Sequence, residues 1–270
     1  MTLRRPPICV TVITHNEEEN LPRALRSVQG WAEEIVIVDS GSTDRTREIA
    51  TQYGARVIQN AWPGFGQQKN FAQAASSHDW ILNIDADEEV PEALKNEIDA
   101  FLYRVELGAE KARLVEIPRT TRYLGRWIRH GGWYPNYLVR FANRTHARWS
   151  EPELHEAWTR LPESSASMVR FKTPLRHYTF KNIEDQIRTN IAYSRRGFAD
   201  MKKAGARQSL LRLIVKPIGK FIETYLFKKG FLDGVPGLII SVNAAHSMFL
   251  RQAYFFEPAS EATKDKEHNS

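Results

Sequence analysis

Over the first hundred residues, short runs of β-branched apolar side chains alternate with stretches whose apolar positions recur every three or four residues. This is the pattern of βαβ units and of a largely parallel sheet. The runs Ile8–Ile13, Ile35–Val38, Arg56–Gln59 and Trp80–Ile84 predict strands. Leu21, Leu25 and Val28 predict a helix with Asn20 as its cap, and Ser42 or Asp44 can cap a second helix that runs to about Tyr53. Pro91 opens a longer helix whose apolar face is Leu94, Ile98, Phe101, Leu102 and Val105. Strand character returns at Arg113–Ile117 and Tyr137–Phe141. From Asn182 onward, Ile183, Ile187, Ile191 and Phe198 predict a long helix.

The pattern changes again at Leu210–Phe256, where Leu, Ile, Val and Phe are interleaved with Lys216, Lys220, Lys228, Lys229 and Arg251. Leu211, Ile214, Val215, Ile218, Ile222, Tyr225 and Leu226 recur at helical spacing with Arg212, Lys216 and Lys220 between them. That suits a helix lying in a lipid interface, basic residues among anionic head groups, and it also fits an ordinary packing helix. Gly234–Leu250 approaches the length of a membrane span, but Pro236, Asn243 and His246 interrupt it, so a crossing is not expected. The expected organisation is therefore an α/β domain over 1–205, a membrane-associating helical region over 206–256 and a disordered polar tail over 257–270.

Composition narrows the class. Hydrophobic residues at 42% and charged residues at 26% match globular usage, so neither a disordered chain nor a multi-span membrane protein is expected. A net charge of +6 favours an anionic partner without choosing among nucleic acid, phospholipid and phosphorylated substrate. The single cysteine, Cys9, has no partner within the chain and points to a reducing compartment. Arg4 and Arg5 precede an apolar run too short for an export signal and without a cleavage site, so the run reads as a first strand of a protein that stays inside the cell.

Candidate chemistry sits where predicted strands end. Asp85-Ala86-Asp87 follows an apolar strand, and alternation turns Asp85 and Asp87 to one side, at the carboxyl edge where open α/β sheets bind ligands. Two adjacent carboxylates suit Mg²⁺ or Mn²⁺ bridged to phosphates; the same residues can also simply precede and favour a helix N-terminus. Val38-Asp39-Ser40-Gly41-Ser42-Thr43-Asp44 carries a carboxylate at a strand end into a glycine turn, an arrangement that can meet a pyrimidine or a ribose or serve as a structural cap. Thr14-His15-Asn16-Glu17 either closes over a base from the opposite side or is a polar loop. Trp133 and Tyr134, in a Gly- and Pro-rich segment before a strand bearing Arg140, fit a sugar acceptor through ring stacking and phosphate pairing; core aromatics and a turn explain them equally.

The set Thr14-His15-Asn16-Glu17, Val38 to Asp44, Gly66-Gln67-Gln68-Lys69-Asn70 and Asp85-Ala86-Asp87, in this order and spacing, resembles the family 2 glycosyltransferases of the GT-A fold. The resemblance implies a Rossmann-like, mostly parallel sheet flanked by helices, with an amphipathic helical appendage at the C-terminal end. It implies donor contacts from Thr14, Asn16, Glu17, Asp39, Ser42, Lys69, Asn70 and Asp85, with Glu17 and Asp39 on the uridine and Lys69 and Asn70 near ribose and diphosphate. It further implies a metal, Mg²⁺ or Mn²⁺, on Asp87 and His177, and a catalytic base at Glu156, with Glu151 and Glu153 as alternatives. The processive Q-x-x-R-W pattern is not found, which favours single-sugar addition, and no separate nucleophile for a double displacement is identified, which favours inversion.

Trp62-Pro63-Gly64-Phe65-Gly66, Phe221, Tyr225, Gly230-Phe231-Leu232-Asp233-Gly234 and Gly237 are similar to a narrower group that includes lipopolysaccharide inner-core β-1,4-glucosyltransferases. That similarity implies glucose from UDP-glucose, a lipid-linked saccharide acceptor, an anionic membrane surface, no nucleic acid, and a peripheral place on the inner face of the cytoplasmic membrane. Two other classes compete. A sugar nucleotidyltransferase would share the sheet and acidic site but should carry a Gly- and Arg-rich phosphate loop after the first strand, where this chain is acidic. A basic peripheral membrane or nucleic-acid adaptor explains the charge but not the carboxylates at strand ends.

Overall fold

The computed structural model describes residues 4–150 and 157–257. Two compact units emerge, one formed by the residues up to Thr120 together with Pro135–Tyr178, the other by Thr121–Tyr134 and the residues from Thr179 onward.

In the first unit, β1 (Ile8–Thr14), β2 (Glu34–Asp39), β3 (Arg56–Gln59) and β4 (Trp80–Asn83) are mutually parallel, in the spatial order β3-β2-β1-β4. Helices α1 (Leu21–Val28), α2 (Thr46–Gln52) and α3 (Phe65–Ala75) connect them, as parallel strands require. Beyond β4, the two-residue β5 (Glu88–Glu89) leads to α4 (Glu92–Glu106) and then β6 (Ala112–Tyr123), whose last residues belong to the second unit together with β7 (Arg126–Trp127). Strand β8 (Asn136–Asn143) lies antiparallel between β4 and β6. A short ribbon of β9 (Ala147–Trp149) and β10 (Trp158–Arg160) follows, then β11 (Ser167–Arg170) beside β6 and β12 (Leu175–His177), which joins β6 to β5 across the sheet.

The central strands are apolar on both faces because both are covered. Ile8, Val10 and Val12 of β1 enter a core shared with Leu21 and Leu25 of α1 and Leu94, Ile98 and Phe101 of α4. Cys9 turns to the opposite core, with Ala72 of α3 and the stacked pair Trp149 and Trp158. Each such fully buried Leu or Ile contributes about 1.5–3 kcal/mol through removal from water. Burial also pushes the Cys9 thiol up to about 12, so it is an inert core group.

The capping expectations need correction. Asn20 gives α1 no side-chain cap; its amide bonds Glu17 at 3.0 Å and accepts Arg23 at 3.0 Å. Ser42 turns to Asp39, whereas Asp44 accepts the Thr46 amide at 2.9 Å at the start of α2.

In the second unit, α5 (Ile183–Lys203) is capped by Asn182, which accepts the Asp185 amide at 2.8 Å, and packs on α7 (Gly234–Ala253). Gln186 holds both Tyr123 and Asn243 through one carbonyl oxygen, and Ser194 meets Ser247 at 2.8 Å. Helix α6 (Leu210–Ile222) continues as a π-helical turn, Glu223–Phe227, and a 3₁₀ turn, Gly230–Asp233, before α7. Gly237 is required there, since a Cβ would collide with the Gly230 carbonyl oxygen. Helix α6 buries none of its residues: Leu211 is 72% exposed, and Leu210, Ile214, Val215 and Ile218 all exceed half. No helix of the described residues is long and apolar enough to cross a membrane.

Candidate active site

Strands β1, β2 and β4 end at one edge of the sheet, which brings together segments 25 to 72 residues apart in sequence (Thr14 with Asp39, Thr11 with Asn83). Asp39 is fully buried, and both its oxygens accept from the chain: one takes the Gly41 and Ser42 amides at 3.1 and 2.9 Å, the other the Thr14 hydroxyl at 3.0 Å and that of Ser42. A carboxylate so enclosed builds the turn that follows it. Asn16 adopts φ +56°, a region Asn tolerates, which lets its amide donate to Ser42 at 2.9 Å while its side chain accepts the Thr43 amide at 2.9 Å. The Glu17 amide donates to Thr46 at 2.7 Å, so the loops after β1 and β2 are stitched into one wall.

That wall borders a cavity of about 490 Å³ lined by Ile13, Thr14, His15, Glu17 and Ser40, and also by Trp62 and Phe65. The two aromatic rings meet edge-to-face at 4.7 Å and stay half exposed, which leaves apolar surface beside a polar floor. A volume of this size and mixed lining suits a nucleoside.

After β4, Asn83 is buried against Thr11, donating to its hydroxyl at 3.0 Å, and aims the chain toward Asp85. Asp85 receives the Arg140 guanidinium at 2.5 Å, the Lys69 ammonium at 3.5 Å and Arg119 at 3.9 Å. Desolvation opposes ionisation there, but Arg140, Lys69 and Arg119 outweigh it and hold the Asp85 carboxyl far below the usual carboxylate range. Arg140, 4% exposed, also bonds Asn83 at 3.2 Å and the fully buried Glu88 at 3.0 Å. Burial alone would favour its neutral form, yet Asp85 and Glu88 raise its pKa further and keep it charged. Lys69 lies under the Trp149 ring at 4.5 Å from its centroid.

Asp87 faces His177, Oδ2 to Nε2 at 3.1 Å, and its carbonyl accepts the Tyr178 amide at 3.0 Å. This pair forms because β12 lies antiparallel to β5 with His177 opposite Glu88. No group of three His, Cys, Asp or Glu side chains suited to a metal occurs among the described residues. A carboxylate and an imidazole in contact nevertheless fit a divalent cation that takes its other oxygens from phosphates.

The remaining expected residues are dispersed. Asn70 sends both ends of its amide to Trp149, donating to its carbonyl and accepting its N–H, each at 2.9 Å. Arg140, expected at an acceptor, is instead the buried cation of the Asp85 cluster, because two carboxylates distant in sequence converge on it. Trp133 and Tyr134 belong to the second unit: Trp133 packs on Tyr123 and Phe180, each at 5.7 Å, and Tyr134 lies beneath Arg129. Glu151, Glu153 and Glu156 lie outside the described residues, as does most of the expected tail.

Residues 9–109 match the model of glycosyl transferase family 2. An uncharacterized glycosyltransferase of Rickettsia felis is 31% identical over 256 residues, 91% of this chain and 88% of the relative. The chain belongs to glycosyl transferase family 2. Its GT-A arrangement is the β3-β2-β1-β4 sheet extended by β8 and β6 and flanked by helices, with the C-terminal helices appended. This glycosyltransferase is also 28% identical to the lipopolysaccharide core biosynthesis glycosyltransferase LpsC of Rhizobium meliloti, over 93% of this chain and 92% of that one. A crystal structure of glucosyl-3-phosphoglycerate synthase from Mycobacterium tuberculosis with Mn²⁺ and uridine diphosphate is 29% identical, covering 43% of this chain and 44% of that one at a TM-score of 0.35.

Sequence reasoning used Trp62 and Phe65 only for the narrower resemblance and gave them no place at the candidate site, and it gave none there to the buried Glu88 or the nearby Arg119. Trp62 and Phe65 carried a signal, two aromatics flanking Pro63-Gly64 in an otherwise polar stretch.

Proposed function

We propose that this glycosyltransferase moves a single sugar, glucose from UDP-glucose, onto a lipid-linked saccharide such as the lipopolysaccharide inner core, with inversion and with a divalent metal. The contact between Asp87 and His177 at the sheet edge, on the same edge as the cavity beside Thr14 and Glu17, carries this reading. LpsC, similar along nearly its whole length, supports the acceptor class.

In this reading Thr14, Glu17 and Ser40 receive the nucleoside and Trp62 and Phe65 cover it. Asp39, Asn16 and Ser42 hold the receiving loops in shape. Mg²⁺ or Mn²⁺ held by Asp87 and His177 would supply Lewis-acid neutralisation of the leaving diphosphate. Lys69 adds a fixed positive charge nearby, and Arg140 fixes Asp85 so that it accepts hydrogen bonds from the donor sugar. Asn70 orders the chain at Trp149, close to the ribose and diphosphate expected there. Glu156 takes the proton of the acceptor hydroxyl as it attacks the anomeric carbon from the face opposite the diphosphate, so one displacement inverts the centre.

The region 206–256 holds the enzyme on an anionic membrane surface, at the inner face of the cytoplasmic membrane. The exposed apolar side chains of α6, with Arg212, Lys216 and Lys220 among them, support that role.

Purified protein incubated with UDP-glucose, Mn²⁺ and membrane-extracted glycolipid should release UDP and label the glycolipid. Glu156→Gln should retain UDP binding while turnover falls by roughly two to four orders of magnitude, the usual worth of a general base. Near-normal turnover in that variant removes Glu156 from the role.

A further inference from the structure

A second cleft in the first unit, about 620 Å³, is lined by Arg23 and Arg26 of α1, Arg176 of β12, Glu89 of β5, and Glu92 and Lys95 of α4. It borders the β5–β12 ribbon on the face away from the Asp87 site. Antiparallel pairing sets His177 opposite Glu88 and Arg176 opposite Glu89, so alternation sends His177 and Glu88 to one face and Arg176 and Glu89 to the other.

Four cations face two carboxylates here, and both carboxylates are engaged. Glu89 binds Arg176 at 2.7 Å and the Tyr178 hydroxyl at 2.6 Å; Glu92 binds Lys95 at 2.6 Å. Among the described residues Arg23 and Arg26 form no ion pair: Arg23 bonds Asn20 at 3.0 Å and Arg26 reaches the Tyr53 hydroxyl at 3.4 Å. The Arg23 guanidinium lies over the Tyr178 ring, 3.7 Å from its centroid, and its buried Nε has no hydrogen-bond partner. Helix α4 opens at the cleft with no side-chain cap, adding the positive end of its dipole.

We infer that this cleft binds a phosphomonoester carried on a saccharide. Arg23 shares the charge of Glu89 with Arg176, so the four cations still exceed the two carboxylates, and Arg23, already immobilised, and Arg26 are placed to donate to a phosphate. The volume admits a phosphorylated monosaccharide. The inference leans on the transfer reading only in making that saccharide part of the acceptor; binding itself is independent of it.

The test is calorimetric titration of the full chain with glucose 6-phosphate, inorganic phosphate, glucose and phosphatidylglycerol vesicles, with UDP plus Mn²⁺ as a separate control. Glucose 6-phosphate should bind saturably, inorganic phosphate more weakly and glucose not at all. The Arg23→Gln/Arg26→Gln variant should weaken glucose 6-phosphate binding by at least about tenfold, the worth of one lost charged contact, with UDP binding unchanged. Should that variant misfold, Arg26→Gln alone, at an exposed position, should still weaken it several-fold. Equal binding by the variants, no saturable binding by the native chain, or a response to vesicles but not to glucose 6-phosphate overturns the inference. UDP binding that persists through any of these leaves the donor site standing.

Discussion

Around Asp85, the first unit buries charge: Arg140 and Lys69 are each 4% exposed and Glu88 is fully enclosed. Helix α6 of the second unit does the reverse, leaving Leu211 72% exposed and burying nothing. Each departs from the ordinary partition of polar outside and apolar inside, and each departure has a different physical source. The buried charges stay because opposite partners converge within hydrogen-bond reach, so removing one strands the rest. The exposed apolar side chains form a face of the kind that binds a second surface, which the proposed membrane role would supply. One region places its proposed function in internal contacts, the other in a proposed contact with a membrane surface.

Substitutions can pull the two apart. Asp87→Ala should lower kcat by roughly a hundredfold to a thousandfold, the scale of one lost electrostatic group at a reacting centre, with circular dichroism unchanged. A native rate from that folded variant would detach the acidic edge from the chemistry. Arg140→Leu should destabilise the chain by about 3–5 kcal/mol in urea denaturation, because Asp85 and Glu88 lose their main buried partner. Leu211→Asp combined with Ile214→Asp should do the opposite of that: an unfolding midpoint within a degree or two of native, and vesicle affinity reduced by at least about tenfold from lost apolar burial. A large drop in stability would instead mark α6 as a packing helix. Lys216→Gln and Lys220→Gln should have the smallest effect, about 1 kcal/mol each on binding to anionic vesicles, vanishing in high salt.

The parallel half of the sheet was readable because its strands are continuous apolar runs, and the edges differ from expectation by one residue at β1, β2 and β4. Helix α3 was not, since buried Gln68, Lys69 and Gln73 interrupt the apolar face that would reveal it. Strands β9 to β12 span only three or four residues each, too short for alternation to register, and one of them carries His177. Asp85, Asp87 and Asp39 declared themselves by lying at the ends of apolar strands. Arg140 did not, because its meaning depends on Asp85 and Glu88, 55 and 52 residues earlier in the chain. Local pattern reports which residues end a strand; it carries no record of which distant charges will share a dry interior.

Asn70 joins α3 to β9 as a neighbouring strand would, one amide answering both the N–H and the carbonyl of Trp149. Lys69, the preceding residue, meets the face of that same indole. The helix and the ribbon therefore share a two-toothed clasp and cannot slide past each other without opening it.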